Sequence, residues 1–267
     1  MVIFSQKNSF FIKRRKKIFS EIISLQYIMS FSEQVLLEDD SIVANTIPND
    51  TEVAIRYIKS LLPVAVKLNL MHPPVIYVHQ LYDIINNKAL VKKHLDELQN
   101  KCKIQQFTVD TSDYPSAILL YEDFVAYTFK LYPENKCVKK FLNNILPTLK
   151  SFGVEKNVLR QKLKLQHHEI TELINCGLLL IRNQESYWIS FPSSGKFIKK
   201  FNEGRKYIIQ IIKRQKFQEI LEKNLEVRCS KVPKLRDFGY KYFLHDIKGS
   251  EDVKTINTTS GHLLRIS

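Results

Sequence analysis

The sequence of 267 residues has little of what marks several common classes of protein. Its seven glycines never fall in a GxGxxG spacing and it has no low-complexity tract, so neither a glycine-rich phosphate loop nor a long disordered segment is predicted after the N-terminal region. The four cysteines are scattered without a CxxC pair, which predicts reduced core thiols of an intracellular protein. No run of about eighteen apolar residues occurs, so no membrane-spanning segment is predicted. A membrane is not among the predicted partners.

Catalytic motifs are also missing, apart from one tripeptide. Asp237-Phe238-Gly239 matches the sequence with which protein kinases bind magnesium. Phosphoryl transfer also needs a glycine-rich loop and an HRDxxxxN segment, and neither precedes Asp237. The residues that follow Gly239 are too few for an activation loop and a helical lobe. We therefore predict that Phe238 is a core residue beside a turn at Gly239.

Three other candidate sites are better explained by structure than by chemistry. The stretch SSGKF (Ser193–Phe197) resembles the end of a phosphate-binding loop, but Ser190 replaces its first glycine and no hydroxyl follows its lysine. His167 and His168 are adjacent, so on a helix they point about 100° apart and are predicted at a helix start or interface. Trp188 fits a strand core position better than a stacking platform. No GxSxG or HExxH motif occurs, so no catalytic, cofactor-binding or metal-binding residue is predicted.

Positive charge is what the sequence has in excess. The formal net charge is +14, and residues 150–267 carry 23 lysines and arginines against 12 acidic residues. Such an excess attracts polyanions, most often nucleic acid or an anionic membrane, although a merely basic surface has the same composition. A further basic run, Lys13 to Lys17, is typical of a nuclear address or a flexible tail. Met29 is an alternative start, which would place residues 1–28 outside the functional protein.

The order of apolar residues predicts an α+β fold, mainly helical, in which three segments repeat one plan. Each segment has two or three short amphipathic helices followed by a pair of strands, which is the plan of the winged helix. We predict a flexible basic extension over residues 1–50 and three tandem winged-helix domains over residues 51–133, 134–194 and 195–267. They are expected to pack together because each is small for an isolated core. A single α+β domain of another topology is the alternative.

The individual elements are predicted from periodicity and turn residues. The helices of the first segment are VAIRYIKSLL, HQLYDIINN and KALVKKHLDELQNKC, and its hairpin is KIQQFTV and AILLY across DTSDYPS. Those of the second are VKKFLNNILPTLKSF, EKNVLRQKL and HHEITELINCG, with the hairpin LLLIR and SYWISF. Those of the third are a helix from about Gly195 to Lys213, KFQEILEKNL and LHDIKGSEDV, with the strands VKTIN and HLLRI around TTSG.

The long helix of the third segment divides its residues by chemistry. At about 100° per residue, Lys199, Lys206 and Lys213 lie within about 40° of one line along the helix. The opposite side is apolar and consists of Phe197, Phe201, Ile208, Ile211 and Ile212. The row spans roughly 20 to 25 Å, long enough to follow several phosphates of a duplex, and only Glu203 interrupts it.

Other cations extend this candidate DNA-binding site. They are Lys196, Lys200, Arg205, Arg214, Lys216 and Arg228, with Arg265 from the last hairpin as a further candidate. Arg205 lies at the edge of the apolar face, so it either contacts phosphate or braces a neighbouring element. The usual recognition helices are less promising, because that of the second segment has no lysine or arginine and the lysines of the first are offset by Asp96 and Glu97. Phosphate and shape contacts with weak sequence preference are therefore predicted. A solvated charged face and an amphipathic helix on a membrane surface are the alternatives.

Four stretches, FIKKFNEGRKYI, KFQEIL, FLHDIKG and TTSGHLLR, resemble the serine/threonine-protein kinase 19 family, also described as winged helix repair factor. The similarity runs from about residue 55 to the end and includes LPVAV, HLDELQ, EITELINCGLL and the Trp188 hairpin. The first 50 residues do not take part. Because several matches occur in one order, membership of this family is expected.

The resemblance implies three winged-helix domains that bind double-stranded DNA in the nucleus. It also implies a role in transcription-coupled nucleotide excision repair, in which the family links stalled RNA polymerase II and its repair factors to TFIIH. By matching position it implies that Lys199, Lys213 and Arg228 contact DNA, whereas Lys200 and Lys206 stand where relatives can have other residue types. RNA is an alternative ligand, and a homodimer on DNA is an alternative assembly.

Two other functions stay open on the sequence alone. The family name and the tripeptide at Asp237 keep an atypical serine/threonine protein kinase as an alternative, although the missing motifs favour a protein that is not an enzyme. A protein-interaction module whose positive face meets acidic partners would have the same charge pattern.

Overall fold

Helices and short antiparallel strands alternate along the chain, which confirms the α+β class. The computed structural model describes residues 49–68, 71–109, 116–149 and 151–267. The predictions for the N-terminal extension and for most of the turn DTSDYPS lie outside these residues. In the part of the chain that is described, no helix is both long and apolar enough to cross a membrane.

The first segment contains a three-stranded sheet behind four helices. In chain order its elements are α1 (Asp50–Leu61), α2 (Val64–Lys67), β1 (Ile76–Tyr77), α3 (Val78–Tyr82), α4 (Lys88–Asn100), β2 (Ile104–Phe107) and β3 (Ala117–Leu120). Helices α1 and α4 begin at Asn49 and Asn87, whose side chains each accept a hydrogen bond from a backbone N–H three residues on. Strand β3 lies between the other two, with Ile118 opposite both Ile76 and Gln106. A helix that the sequence reasoning did not include, α5 (Tyr121–Leu131), follows the sheet.

The second segment has shorter and less regular helices than predicted. Its elements are α6 (Lys136–Lys140), a π-helical turn (Phe141–Ile145), a 3-10 turn (Leu146–Thr148), β4 (Gly153–Glu155), a second π-helical turn (Val158–Lys162), α7 (His167–Asn175), β5 (Leu179–Asn183) and β6 (Ser186–Ile189). The predicted helix VKKFLNNILPTLKSF ends early because Pro147 has no N–H for a continued helix. The predicted helix HHEITELINCG is confirmed and stops before Gly177, whose φ is +74°.

The third segment confirms the long helix and corrects the element after it. Its elements are α8 (Ser194–Lys213), a 3-10 turn (Lys216–Gln218), β7 (Glu219–Leu221), α9 (Glu222–Cys229), a 3-10 turn (Pro233–Leu235), α10 (Tyr240–Gly249), β8 (Val253–Thr258) and β9 (Gly261–Ile266). The prediction of one helix over KFQEILEKNL is wrong in its first half. There Ile220 pairs with Leu264 in the sheet, and this pairing overrides the local helical pattern.

One order of elements and one strand order recur in all three segments. Each has at least one helix, a short strand, two or three helices or helical turns, and two longer strands. In each sheet the last strand lies in the middle and is antiparallel to both neighbours, in the orders β1-β3-β2, β4-β6-β5 and β7-β9-β8. The sequence reasoning missed the first strand of every sheet.

Aromatic side chains from the three segments meet in one buried cluster. Tyr77 of β1 stacks on Phe201 of α8 with ring centroids 4.4 Å apart. Phe201 in turn stacks on Phe243 of α10 at 5.3 Å, and Phe107 of β2 meets Phe191 edge to face at 5.5 Å. Burying each such ring contributes about 1.5–3 kcal/mol, so this cluster fixes α8 against its neighbours.

Candidate nucleic-acid interface

Helix α8 has one buried face and one cationic face, as predicted. Its buried residues are Phe197, Phe201, Gly204, Ile208 and Ile212. Lys199, Lys206 and Lys213 are all exposed on the other side. Because a helix rises about 1.5 Å per residue, these three lysines span roughly 21 Å.

Gly204 in the middle of α8 has a packing reason. A Cβ atom at this position would lie 2.4 Å from Cζ of Phe243, so only glycine lets α10 approach α8 this closely. Glycine costs about 1 kcal/mol against alanine inside a helix. The close packing holds the buried face of α8 inward and therefore the lysine row outward.

The three lysines of the row have no ionic partner among the described residues. The same holds there for four further candidates, which are all exposed: Lys196, Arg214, Lys216 and Arg228. Glu203, the acidic residue within the row, is exposed and forms no ion pair in the described part of the chain. An uncompensated row of this kind produces a positive potential along one side of α8.

Lys200 and Arg205 differ from the other candidates because carboxylates already neutralise them. Nζ of Lys200 lies 2.7 Å from Oδ2 of Asp237. The half-buried guanidinium of Arg205 pairs with Asp252, and its Nε lies 3.0 Å from Oδ2 of the fully buried Asp246. The structure thus places Arg205 as a brace between α8 and the end of α10, one of the two roles that the sequence left open.

Part of the row borders an open depression of about 480 Å³. Its lining residues are Asn202, Arg205, Lys206, Ile209, Gln210 and Lys213. The side-chain amides of Asn202 and Gln210 add hydrogen-bond donors between the cations, and neither residue was among the predicted site residues. The helical period could have found both, since they lie four residues before and after Lys206.

The remaining candidates lie beyond the helix. Arg214 caps the C-terminal end of α8, and Lys216 belongs to the turn that follows. Arg228 is in the last turn of α9, which packs against α8. Arg265 of β9 is paired with Glu219 of β7, with Nη2 and Oε2 2.6 Å apart. The structure therefore extends the free positive charge to α9 and leaves Arg265 neutralised.

The helix that precedes each hairpin is a poor alternative surface for a polyanion. On α7, the ammonium of Lys140 lies 2.8 Å from Oε1 of Glu169, and together with the N–H of Gln166 it lowers the pKa of this carboxyl, which therefore keeps its negative charge at neutral pH. On α4, Lys88 is paired with Glu251 at 2.6 Å, and Lys93 lies 4.0 Å from Glu97.

Helix α10, which precedes the third hairpin, is covered by the first segment. The hydroxyl of Tyr242 donates to the carbonyl oxygen of Val75 at 2.7 Å, and the amide of Gln80 donates to the carbonyl oxygen of Tyr242 at 3.0 Å. Burial raises the pKa of Tyr242 well above its ordinary value, so the phenol keeps the proton that it donates. Since α10 is covered in this way, the exposed outer face of α8 is the better candidate surface for a ligand.

The kinase-like tripeptide has structural contacts. Asp237 forms the ion pair with Lys200, and Phe238 is fully buried, with its ring stacked on His72 at 4.8 Å and on Tyr242 at 5.7 Å. Gly239 has a φ of +83° and immediately precedes α10. The prediction of a core phenylalanine beside a turning glycine is confirmed.

The two adjacent histidines and Trp188 also lie at positions that indicate no chemistry. His167 is the first residue of α7, as expected for a helix start, and both it and His168 are exposed. Trp188 lies in β6, half-buried between Phe152, whose ring stacks on it at 5.3 Å, and the guanidinium of Arg182 at 4.2 Å. Throughout the described ranges, no group of three or more histidine, cysteine or acidic side chains is arranged to hold a metal ion.

All four cysteines are free thiols, and three of them are buried as predicted, whereas Cys102 is only partly buried. Burial raises the pKa of Cys137 to about 12 and that of Cys229 to about 11, so both stay protonated at neutral pH. These two buried thiols contribute to packing and offer no nucleophile.

Comparison with known proteins gives consistent matches over most of the chain. A Xenopus laevis protein named winged helix repair factor 1 is 31% identical over 226 residues, which cover 82% of this chain and 84% of that protein. The human protein of the same name is 30% identical over 197 residues, covering 73% of this chain and 77% of its own length. A Schizosaccharomyces pombe protein named serine/threonine-protein kinase mug51 is 28% identical over 151 residues, 55% of this chain and 44% of that protein.

A family model covers nearly the same stretch as the three structural segments. The model described as inactive serine-threonine protein kinase 19 matches residues 45–266, which include α8 and every sheet. The resemblance expected from the sequence is confirmed by this match and by the relatives' identities. The chain belongs to the family described as inactive serine-threonine protein kinase 19.

Proposed function

We propose that this protein is a non-enzymatic DNA-binding factor of DNA repair that grips the phosphate backbone of duplex DNA with the outer face of α8. One observation carries the proposal. Lys199, Lys206 and Lys213 are exposed along roughly 21 Å of one helix and lack ionic partners in the described part of the chain, while the opposite face is buried.

The binding mode follows from the chemistry of this face. Each lysine that neutralises a phosphate releases condensed counterions, which gives affinity without reading the base sequence. Asn202 and Gln210 can donate hydrogen bonds to phosphate oxygens between the lysines. Further phosphate contacts come from the free cations around the row: Lys196, Arg214, Lys216 and Arg228. Lys200 and Arg205 contribute less because carboxylates compete for them.

The repeated segments are proposed to be three winged-helix domains over residues 51–133, 134–194 and 195–267. Support comes from their shared order of elements and from the middle position of the last strand in each sheet. The name of the relatives, winged helix repair factor 1, agrees with this assignment.

The same name supports a role in repair and, with it, action in the nucleus. We extend the proposal to transcription-coupled nucleotide excision repair, with the protein linking stalled RNA polymerase II to TFIIH, as family resemblance implies. A bound duplex held along α8 leaves the first and second segments to meet such protein partners.

The non-enzymatic part of the proposal is supported by the surroundings of the kinase-like tripeptide. Asp237 is engaged by Lys200 and Phe238 is buried in the aromatic cluster, so neither is presented to a nucleotide. The family description contains the word inactive. Transfer of phosphate from ATP by the purified protein, abolished in Asp237→Ala, would contradict this part.

A salt-dependent titration of fluorescent duplex DNA tests the binding surface. The variant Lys199→Gln with Lys213→Gln removes two cations of the row, and Lys101→Gln with Lys136→Gln removes two exposed lysines elsewhere and changes the net charge equally. The logarithm of the affinity falls with the logarithm of the salt concentration, and each phosphate contact contributes about 0.9 to the steepness of this decrease. The first variant should therefore make the decrease shallower by about 1.8. The control variant should keep the wild-type slope.

Two results would overturn the proposal. Equal loss of affinity in the two variants would show that net charge and not the α8 row determines binding. Absence of DNA binding at low salt, together with binding to an acidic polypeptide, would assign the face to an acidic protein partner instead. Titrating single-stranded DNA and RNA alongside the duplex identifies the preferred nucleic acid.

A further inference from the structure

Phe217 is an aromatic side chain that the fold holds out in solvent. It is 72% exposed, the highest value among the large apolar residues of the described ranges. It belongs to the short turn between α8 and β7, next to the C-terminal end of the lysine row. A ring of this size normally contributes its area to a core, so its presentation needs an explanation.

The backbone at this turn has an unusual conformation that hydrogen bonds hold in place. Phe217 has φ +59° and ψ +13°, and Gln218 has φ +55°, so two successive residues with side chains occupy the left-handed region. This region is unfavourable for a bulky residue. The turn is tied to α8, where the N–H of Gln218 donates to the carbonyl oxygen of Gln215 and the amide of Gln215 donates to that of Ile211, both at 3.0 Å. The ring is therefore displayed by a fixed turn.

The surroundings of the ring are cationic. Nζ of Lys216 lies 5.0 Å from the centroid of the Phe217 ring, and Lys213 and Arg214 are exposed just before it in the chain. An apolar groove of a partner protein would accommodate the phenylalanine but not these charges. A ligand that offers both a flat aromatic face and negative charge is a nucleic acid.

We propose that Phe217 stacks on an unpaired nucleobase at the end of a duplex. The protein then prefers duplex DNA that adjoins a single-stranded region. This inference rests on the proposed function, since the α8 row holds the duplex while the ring meets the base beyond its end. Insertion into a continuous duplex would require unstacking of paired bases, which costs a few kcal/mol per step. At a junction the face of the first unpaired base is already accessible.

The test compares two probes, a continuous duplex and a forked duplex with the same paired sequence. The wild type should bind the fork more tightly, and Phe217→Ala should lose that preference, with fork affinity reduced roughly 5- to 100-fold and duplex affinity little changed. Val227→Ala is the matched control, because Val227 is 70% exposed on α9 of the same segment and should change neither affinity. Phe217→Trp should keep the preference, since indole also stacks.

A spectroscopic readout distinguishes stacking from a general loss of affinity. With 2-aminopurine as the first unpaired base of the fork, binding of the wild type should quench its fluorescence and binding of saturating Phe217→Ala should not. Salt-dependent binding of duplex and fork with equal affinity by the wild type would overturn the stacking inference and leave the proposed function standing. Binding to neither probe would overturn both. Phe217-dependent binding to phosphatidylserine vesicles without any fork preference would assign the ring to a membrane.

Discussion

Asp246 offers a sharp test of how the first and third segments are held together. Its carboxylate has no exposed surface, and it lies between Nε2 of His79 from α3 and the guanidinium of Arg205 from α8. Arg205 also pairs with Asp252, which is partly exposed. One buried charge therefore joins three elements that are far apart in the sequence.

Replacing Asp246 by alanine should destabilise the protein substantially. Removing one partner of a buried ion pair costs about 3–5 kcal/mol, because the remaining charge is left buried without compensation. Arg205 keeps Asp252, so a value near the lower end, about 3 kcal/mol, is expected. In a protein of this size, each kcal/mol lowers Tm by about 2–4 °C, which gives a decrease of about 6–12 °C.

Thermal and urea unfolding followed by circular dichroism measures this loss. Asp237→Ala is the control, since it breaks the ion pair with the exposed side chain of Lys200, and a pair of this kind contributes about 0–1 kcal/mol. In a double-mutant cycle, Arg205→Ala should cost much less in the Asp246→Ala background than in the wild type. If Asp246→Ala loses no more stability than Asp237→Ala, the buried network does not join the segments as described.

Two further changes test the packing around α10 and the aromatic cluster. Gly249→Ala should lower the free energy of unfolding by about 1–3 kcal/mol, because its Cβ would lie 1.9 Å from the carbonyl oxygen of His79. Gly195→Ala is the control, because the space around this position is open, and it should leave the midpoint of thermal unfolding unchanged or slightly raised. Burial lowers the pKa of His72 below its ordinary 6.5, so the unfolded chain takes up a proton first as the pH falls, and the free energy of unfolding should decrease below about pH 6.5. Urea unfolding at neutral and mildly acidic pH should show that this free energy decreases less in His72→Gln than in the wild type. An equal decrease would show that His72 does not cause the pH dependence.

Helix α8 could be predicted from the sequence because its hydrophobic period is strong enough to outweigh Gly204, a helix-disfavouring residue in its middle. Its 20 residues contain a regular apolar stripe, and that stripe is buried as the period requires. The first strands of the sheets could not be predicted, since β1, β4 and β7 have two or three residues each and are defined by pairing with the last strand of their segment. For the same reason the start of KFQEILEKNL was assigned to a helix. Its pattern is compatible with helix, and only the distant β9 makes it a strand.

The direction of the lysine row follows from helical geometry, but its electrostatic state does not. Lys200 and Lys199 are adjacent and equally basic in the sequence, yet only Lys200 meets a carboxylate, and Asp237 lies 37 residues away. Arg205 is neutralised from 47 residues away by Asp252. The exposure of Phe217 could not be predicted either. It arises from a turn with left-handed backbone angles, and no nearby glycine or asparagine in the sequence indicates such a turn.

The hydrogen bonds between the first segment and α10 join residues that are more than 160 positions apart in the chain. Val75 and Tyr242 are 167 residues apart, and so are His79 and Asp246. During synthesis the side of the first segment that these contacts cover must therefore wait for nearly the whole polypeptide to emerge, and pairings of such long range slow folding. A product that stops before Tyr240 would leave this apolar side of the first segment open to water and to aggregation, even though every residue of that segment had been made.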